Sequence, residues 1–195
     1  AGTRFDNSGH DFRLEGRQPA VRLGHDWRWE GLVGLQHERN ALQATGEARF
    51  LPPTRSQSSA VLTHQTLQTA WGQVSAGARA EAVEVTSLEA IGPNQDIAAQ
   101  SQRFNPMSVA LSVVRQLRHG ETQNGWQFTS NLSANQRAPK DYELFAHGRH
   151  LATAAYQIGL PTQGLEKGTQ LDVGGAWKQG PHTFAVTAFV AHFSN

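Results

Sequence analysis

The stretch "DYELFAHGRH", residues 141–150, brings together Asp141, Glu143, His147 and His150. Neutral imidazole nitrogens and carboxylate oxygens are ligands for Zn²⁺ and similar divalent ions. His150 and His147, three residues apart, are the leading candidate metal contacts, with Glu143 and Asp141 beside them. Two histidines at that spacing are a weak signal without a further ligand, and two surface histidines on a polar loop are the plainer alternative. Glu143 has a structural alternative too: capping a short helix or satisfying loop amides. Other chemistries have less to work with. Cysteine is absent, which excludes disulfides, thiolate metal sites and cysteine nucleophiles. No Gly-x-Ser-x-Gly element occurs, and no serine sits in a strained turn beside a matched histidine. The glycines are scattered through strands and turns rather than gathered into a phosphate loop. The chain is therefore expected not to be an enzyme and to need no catalytic cofactor.

The candidate residues lie in a segment, 141–159, with no clean period of 2 or 3.6 and with Pro139 and Pro161 on either side. It reads as a long loop with a possible helical turn at 140–146. Loops of this length inside compact domains are usually functional or disordered.

Strands carry that loop. Period-2 alternation recurs along the chain and long helical patterns are missing. In "WQFTSNLSAN", residues 126–135, Trp126, Phe128, Leu132 and Ala134 share one face, opposite Gln127, Thr129, Asn131, Ser133 and Asn135. The same alternation runs through 10–17, 25–38, 71–82 and 169–178. Segments near 56–67, 103–117 and 182–194 qualify by their β-branched and aromatic content. About eight strands result. Short connections with Gly, Pro or Asn-Gly turn chemistry alternate with long ones at about 40–56, 86–103 and 135–168. That order fits an all-β, antiparallel up-and-down sheet with every long loop at one end.

Alternation by itself does not separate a soluble β-domain from a membrane barrel, because each has one apolar and one polar face. Three features favour a transmembrane β-barrel or partial barrel. The strands are long for a globular protein. Trp27, Trp29, Trp71, Trp126, Trp177 and Phe193 sit near strand ends, where they could form interfacial girdles. The polar faces are charged, as at Arg13, Glu15, Arg28, Glu30, Arg79 and Glu81.

The 195 residues carry a formal net charge of +1, contain 38% hydrophobic residues and have a mean hydropathy of −0.50. No basic run or nucleic-acid motif occurs, so nucleic acid is not an expected partner. No run of 18 apolar residues would make a spanning helix. The opening "AGTRFDNSGHDF" lacks the apolar region of a signal peptide, and both ends read as cuts through a longer pattern.

Residues 135–177 contain Arg137-Ala138-Pro139, then Glu143-Leu144-Phe145, a long loop, and Leu165-Glu166-Lys167 at the opening of the next strand. This succession resembles the barrels of TonB-dependent outer-membrane receptors. Gly148, His150, Ala152 and Thr153 within "HGRHLATAAYQIG" resemble the zinc-uptake branch of that family. The match is specific over about 103–195 and pattern-level over 1–102. The resemblance implies that 1–195 is part of a receptor barrel domain without its plug, set in outer-membrane lipid of a Gram-negative cell. It implies uptake of a metal ion, zinc first, or a metal complex; a siderophore or haem receptor of the same family is the alternative. It implies coupling to the TonB complex through the plug only. A non-transporting barrel or a soluble β-domain is the reading outside the family.

Arg137 and Pro139 are expected to be structural, with Arg137 pairing to Glu143 or Glu166. Of the nine histidines, His10, His37, His147, His150 and His192 are expected towards the long-loop end, and His25, His119 and His182 at the opposite turns.

Overall fold

The computed structural model describes residues 3–46, 49–91, 97–118, 124–150 and 155–195. Among these residues eleven strands and one short helix follow in chain order: β1 (Arg4–Arg22), β2 (Arg28–Thr45), β3 (Thr54–Thr69), β4 (Gly72–Ser87), β5 (Ser101–Phe104), β6 (Met107–Arg118), β7 (Gly125–Arg137), α1 (Asp141–Phe145), β8 (His147–His150), β9 (Ala155–Ile158), β10 (Glu166–Gln179) and β11 (His182–Ser194). One antiparallel sheet runs β1-β2-β3-β4-β6-β7-β10-β11, and β5 also pairs with β4. Neighbours in space are therefore neighbours in sequence, as an up-and-down meander requires. Within the described residues the sheet is open: β1 pairs only with β2, and β11 only with β10.

The strands reach further than alternation indicated. β1 runs over 19 residues and β2 over 18, both extending to the long-connection end. Over Asp6–His10 and Arg39–Asn40 the two faces are polar alike, so the period-2 signal fades although the ladder continues: His10 pairs with Arg39, and Gly9 with Asn40. The segment expected as one strand near 103–117 is two. Asn105-Pro106 interrupts it, and Glu81 donates its amide to the Pro106 carbonyl at 3.0 Å in place of a ladder bond. Proline lacks the amide that a central strand needs.

Cross-strand register sorts the side chains into two faces. One carries the row Leu14–Leu35–Val61–Ala80–Met107, and further along Ala76–Leu111–Leu132–Leu171–Val190. Among the described residues no layer covers this face: Leu14, Leu35, Val61 and Met107 are 58, 53, 59 and 59% exposed. The other face is polar and hydrogen-bonded. Arg79 donates to Gln36 at 3.0 Å and to Glu81 at 3.1 Å, Gln36 donates to Asp11 at 3.2 Å, and Thr66 shares a 3.0 Å bond with Ser75.

Every tryptophan stands at the short-turn end. Trp27 and Trp71 lie in turns, Trp29 and Trp126 are second residues of strands, and Trp177 pairs with Trp126. Phe193 departs from the expected girdle. It pairs with Gly168 at the long-connection end, and its register places it on the polar face, whose next member along β11 is Ala191.

Apolar packing is concentrated at the long-connection end. Leu51, Val85, Ile91, Leu144, Phe145 and Ala146 form a buried cluster, with Leu42, Phe50, Val83, Ile97 and Phe104 against it. Leu42, Val83 and Val85 belong to the polar-face register, so the long connections fold back over that face. Fully burying Leu144 and Phe145 contributes about 1.5–3 kcal/mol each.

Candidate functional site

The segment expected as an irregular loop is folded. β7 ends at Arg137, Pro139 follows, α1 makes one turn, and β8 pairs with β9 in a hairpin whose register runs from His147↔Ile158 to His150↔Ala155. The local pattern concealed this because its anchors are distant in sequence. The His147 amide donates to the Phe50 carbonyl at 2.7 Å. The Gly159 amide donates to Ala146 at 2.6 Å, and the Leu160 amide to Glu143 at 2.8 Å. Gly148 has φ +154°, and a Cβ there would approach the Phe50 Cβ to 3.1 Å, so this close strand crossing needs glycine.

Glu143 and Asp141 are engaged in holding the fold. The Arg137 guanidinium donates from Nη1 to Glu143 Oε2 at 2.8 Å, from Nη2 to Oε1 at 3.0 Å, and from Nη2 to Glu166 Oε2 at 2.8 Å. Arg137 therefore meets both glutamates, where the sequence offered one or the other. The Lys140 amide also donates to Glu143 Oε2, at 2.6 Å, which closes the start of α1. Chiefly through the Arg137 hydrogen bonds, with the Lys140 amide adding to them, the Glu143 carboxyl is held below the usual glutamate range, against the opposing effect of partial burial. Asp141 accepts from Thr54 Oγ1 at 2.7 Å and from the Tyr142 amide at 2.9 Å. Thr54 is buried at the start of β3, so this bond ties α1 to the sheet.

The histidines are placed differently. His147 is half-buried at the foot of the hairpin, edge-on to Tyr156 with ring centroids 5.8 Å apart. His150 pairs with Ala155 through the backbone, and its side chain lies outside what the structure describes. Ala152, Thr153 and His119 also lie outside the described residues. Among the described residues no three His, Asp or Glu side chains gather as a metal cluster. His10 and His192 do stand towards the long-connection end, but in the apolar-face register, away from the face over which α1 folds. His37 lies mid-strand opposite Phe12, with Nδ1 2.9 Å from Ser59 Oγ.

A cleft of about 260 Å³ separates the start of α1 from the polar face of the sheet. Arg137, Lys140 and Asp141 form one wall, and Glu38, Ser58 and Glu81 line the other. Sequence reasoning missed this pairing of walls. Glu38 and Glu81 read locally as ordinary polar-face positions, and only the fold-back of residues 138–146 sets them across a cleft.

The backbone meander has counterparts among solved structures. A copper transporter, OprC, superposes with a TM-score of 0.72 at 14% identity, over 97% of this chain and 30% of that one. A double mutant of the Serratia marcescens hemophore receptor HasR, in complex with its hemophore HasA and heme, superposes with a TM-score of 0.66 at 16% identity, over 98% of this chain and 33% of that one. The fold is shared with both. This chain spans about a third of the length of either protein. No protein-family model and no curated protein matches the sequence.

Proposed function

We propose that this chain forms a section of the barrel wall of an outer-membrane, TonB-dependent receptor for a metal ion or metal complex, with zinc as the first ligand. The observation that carries the reading is the uncovered apolar face, continuous across the eight-strand path and bordered by tryptophans at the short-turn end. Antiparallel strands with apolar side chains towards lipid, polar ones towards the lumen, short turns at one end and long loops at the other are the pattern of such barrels. The neighbouring folds support a transport role, since one is a copper transporter and the other a hemophore receptor. The resemblance of residues 135–177 points within that group to zinc.

On this reading the long-connection end faces outwards and the polar face lines the lumen. His147 and His150 make first contact with the metal. Asp141 and Glu143 hold the hairpin that presents them, because their oxygens already bond Thr54, Arg137 and backbone amides. Energy coupling acts through a plug domain and not through this wall.

The test is uptake and equilibrium binding of zinc, copper and haem by the receptor in its own outer membrane, with His147→Ala and His150→Ala variants. Zinc binding that falls at least tenfold in the double variant is the expected result. Binding of haem alone would move the protein to the haem branch, a reading that the HasR likeness favours. Zinc binding unaffected by either substitution would overturn the histidine assignment.

A further inference from the structure

We propose that Arg115 binds the phosphate of a phospholipid headgroup in the leaflet at the short-turn end of the sheet. The proposal rests on the barrel-wall reading above. Arg115 belongs to the apolar-face register: it pairs with Gly72 on β4 and with Phe128 on β7, and Phe128 pairs in turn with Gly175. Between the row Leu14–Leu35–Val61–Ala80–Met107, whose continuation on β10 is Lys167, and the row Leu117–Trp126–Trp177–Phe184, Arg115 is the one Asp, Glu, Lys or Arg on that face among the described residues. It is exposed, and no described carboxylate forms an ion pair with it.

An unpaired cation facing hydrocarbon is costly at the bilayer centre and tolerable near the interface. Arg115 stands two residues from Leu117, whose cross-strand partner is Trp126. That is about 7 Å along a strand, and less in depth because barrel strands tilt. An arginine stem covers such a distance and carries its guanidinium to headgroup level. The guanidinium also matches phosphate geometry with paired donors.

A glycine and an aromatic residue flank Arg115 across the ladder. Gly72 has φ +157°, and a Cβ there would lie 2.1 Å from the Val114 carbonyl oxygen and 3.0 Å from the Arg115 Cα. No side chain can stand on that flank of Arg115. On the other flank Phe128 stacks with Trp126, centroids 5.9 Å apart and planes 8° apart, which supplies an amphipathic wall at headgroup depth. Trp71 adjoins Gly72 in the turn between β3 and β4. A cation with no side chain on its Gly72 flank and two tryptophans thus meet near one level of the lipid-facing surface.

The test uses the full receptor, purified and reconstituted in phosphatidylcholine vesicles containing phosphatidylglycerol, as wild type, Arg115→Gln and Arg115→Lys. Tryptophan quenching by acyl-brominated phosphatidylcholine reports whether the apolar face meets lipid. Native mass spectrometry after detergent extraction counts retained phosphatidylglycerol. Quenching in all three proteins is expected, with retention about fivefold lower in Arg115→Gln, the weight of one cationic side chain near an anionic surface. Arg115→Lys should keep most of the retention. Equal retention by wild type and Arg115→Gln, with quenching intact, would overturn the headgroup contact and leave the wall reading standing. Absence of quenching in the wild type would overturn both. Displacement of the lipid by excess inorganic phosphate would show a simple anion site and overturn the lipid assignment.

Discussion

Arg137 and Glu143 are joined by two parallel hydrogen bonds, Nη1 to Oε2 at 2.8 Å and Nη2 to Oε1 at 3.0 Å, across the point where β7 becomes the long connection to β10. The same Nη2 reaches Glu166 at the start of β10, so one guanidinium fastens both ends of the 138–165 excursion. Arg137→Ala removes the cation and leaves two carboxylates near each other, whereas Glu143→Gln leaves a charged pair with Glu166. Arg137→Ala should therefore be the more damaging. A loss of about 1–2 kcal/mol against about 1 kcal/mol or less is expected, because all three groups are partly exposed and solvent screens them. Hydrogen exchange at the Leu144 amide, which bonds Lys140 in α1, is the direct measurement. Equal protection in both variants would count against the shared clamp.

The same clamp sets a pH dependence. The Glu143 carboxyl is depressed by the Arg137 hydrogen bonds and the Lys140 amide. A group whose pKa is lower folded than unfolded stabilises the fold fully above its unfolded value, and loses that contribution as pH falls through the folded value. The α1 hairpin should thus be insensitive between pH 6 and pH 8 and should loosen only below the ordinary glutamate range, about pH 4.3. In Glu143→Gln this acid transition should shrink. Proteolysis of the 138–165 segment across a pH series reads it out, and a transition centred near pH 6.5 would implicate a histidine instead.

How far the sequence reveals this arrangement depends on where the side chains look. Along Trp126–Ala134 one face of β7 carries mostly apolar side chains and the other polar ones, so alternation marks the strand and distinguishes its faces. At Asp6–His10 and Arg39–Asn40 both faces are polar, and β1 and β2 extend there without any periodic trace. Arg137, Glu143 and Glu166 lie within thirty residues and carry complementary charge, so their pairing was foreseeable. The partners of the hairpin were not: Thr54 stands 87 residues before Asp141 and Phe50 97 before His147, and nothing local in either segment indicates the contacts. Phe193 shows a further limit. At a strand end a shift of one residue reverses the face, and its aromatic character suggested the girdle when its register places it with the polar side.

Gly159 should resist substitution more than its position after a small hairpin suggests. A Cβ there would lie 2.6 Å from the Leu144 carbonyl carbon and 2.7 Å from the Phe145 amide nitrogen. Both contacts are backbone, so no rotamer change relieves them. Gly159→Ala should push β9 off α1, disturb the Leu144–Phe145 cluster and cost about 1–3 kcal/mol, the range for overpacking. Thermal unfolding in detergent, compared with Gly164→Ala, whose Cβ would meet nothing within 4 Å, isolates the effect.

Zinc titration separates ligand from scaffold. His147→Ala should weaken zinc binding by about tenfold, the lower end of the range for a group that orients a metal ligand. Asp141→Asn keeps a carbonyl oxygen to accept from the Tyr142 amide, and its NH2 can donate to a reoriented Thr54 hydroxyl, so it should leave zinc affinity within about twofold. The competing result, in which Asp141→Asn abolishes binding and hairpin protection is unchanged, would return the carboxylate to the ligand set.

The assignment of faces can be tested with two neighbouring residues of β7. Leu132 lies in the apolar row between Leu111 and Leu171, and Ser133 lies on the polar face between Ala110 and Gln170. Arginine at a lipid-facing position near the bilayer midplane costs about 2–4 kcal/mol, whereas lumen positions accept polar change readily. Leu132→Arg should therefore depress the folding equilibrium in vesicles by that amount, and Ser133→Arg should change it by less than about 1 kcal/mol. The two substitutions introduce the same side chain one residue apart, in the same strand and at the same depth. Any difference between them reports only which way each side chain points. A soluble sheet whose apolar face is covered by a partner protein would also reject Leu132→Arg, but it would do so without lipid. Repeating the pair in lipid-free buffer settles that point: a chain that folds there, with the same gap between the variants, is not a membrane wall.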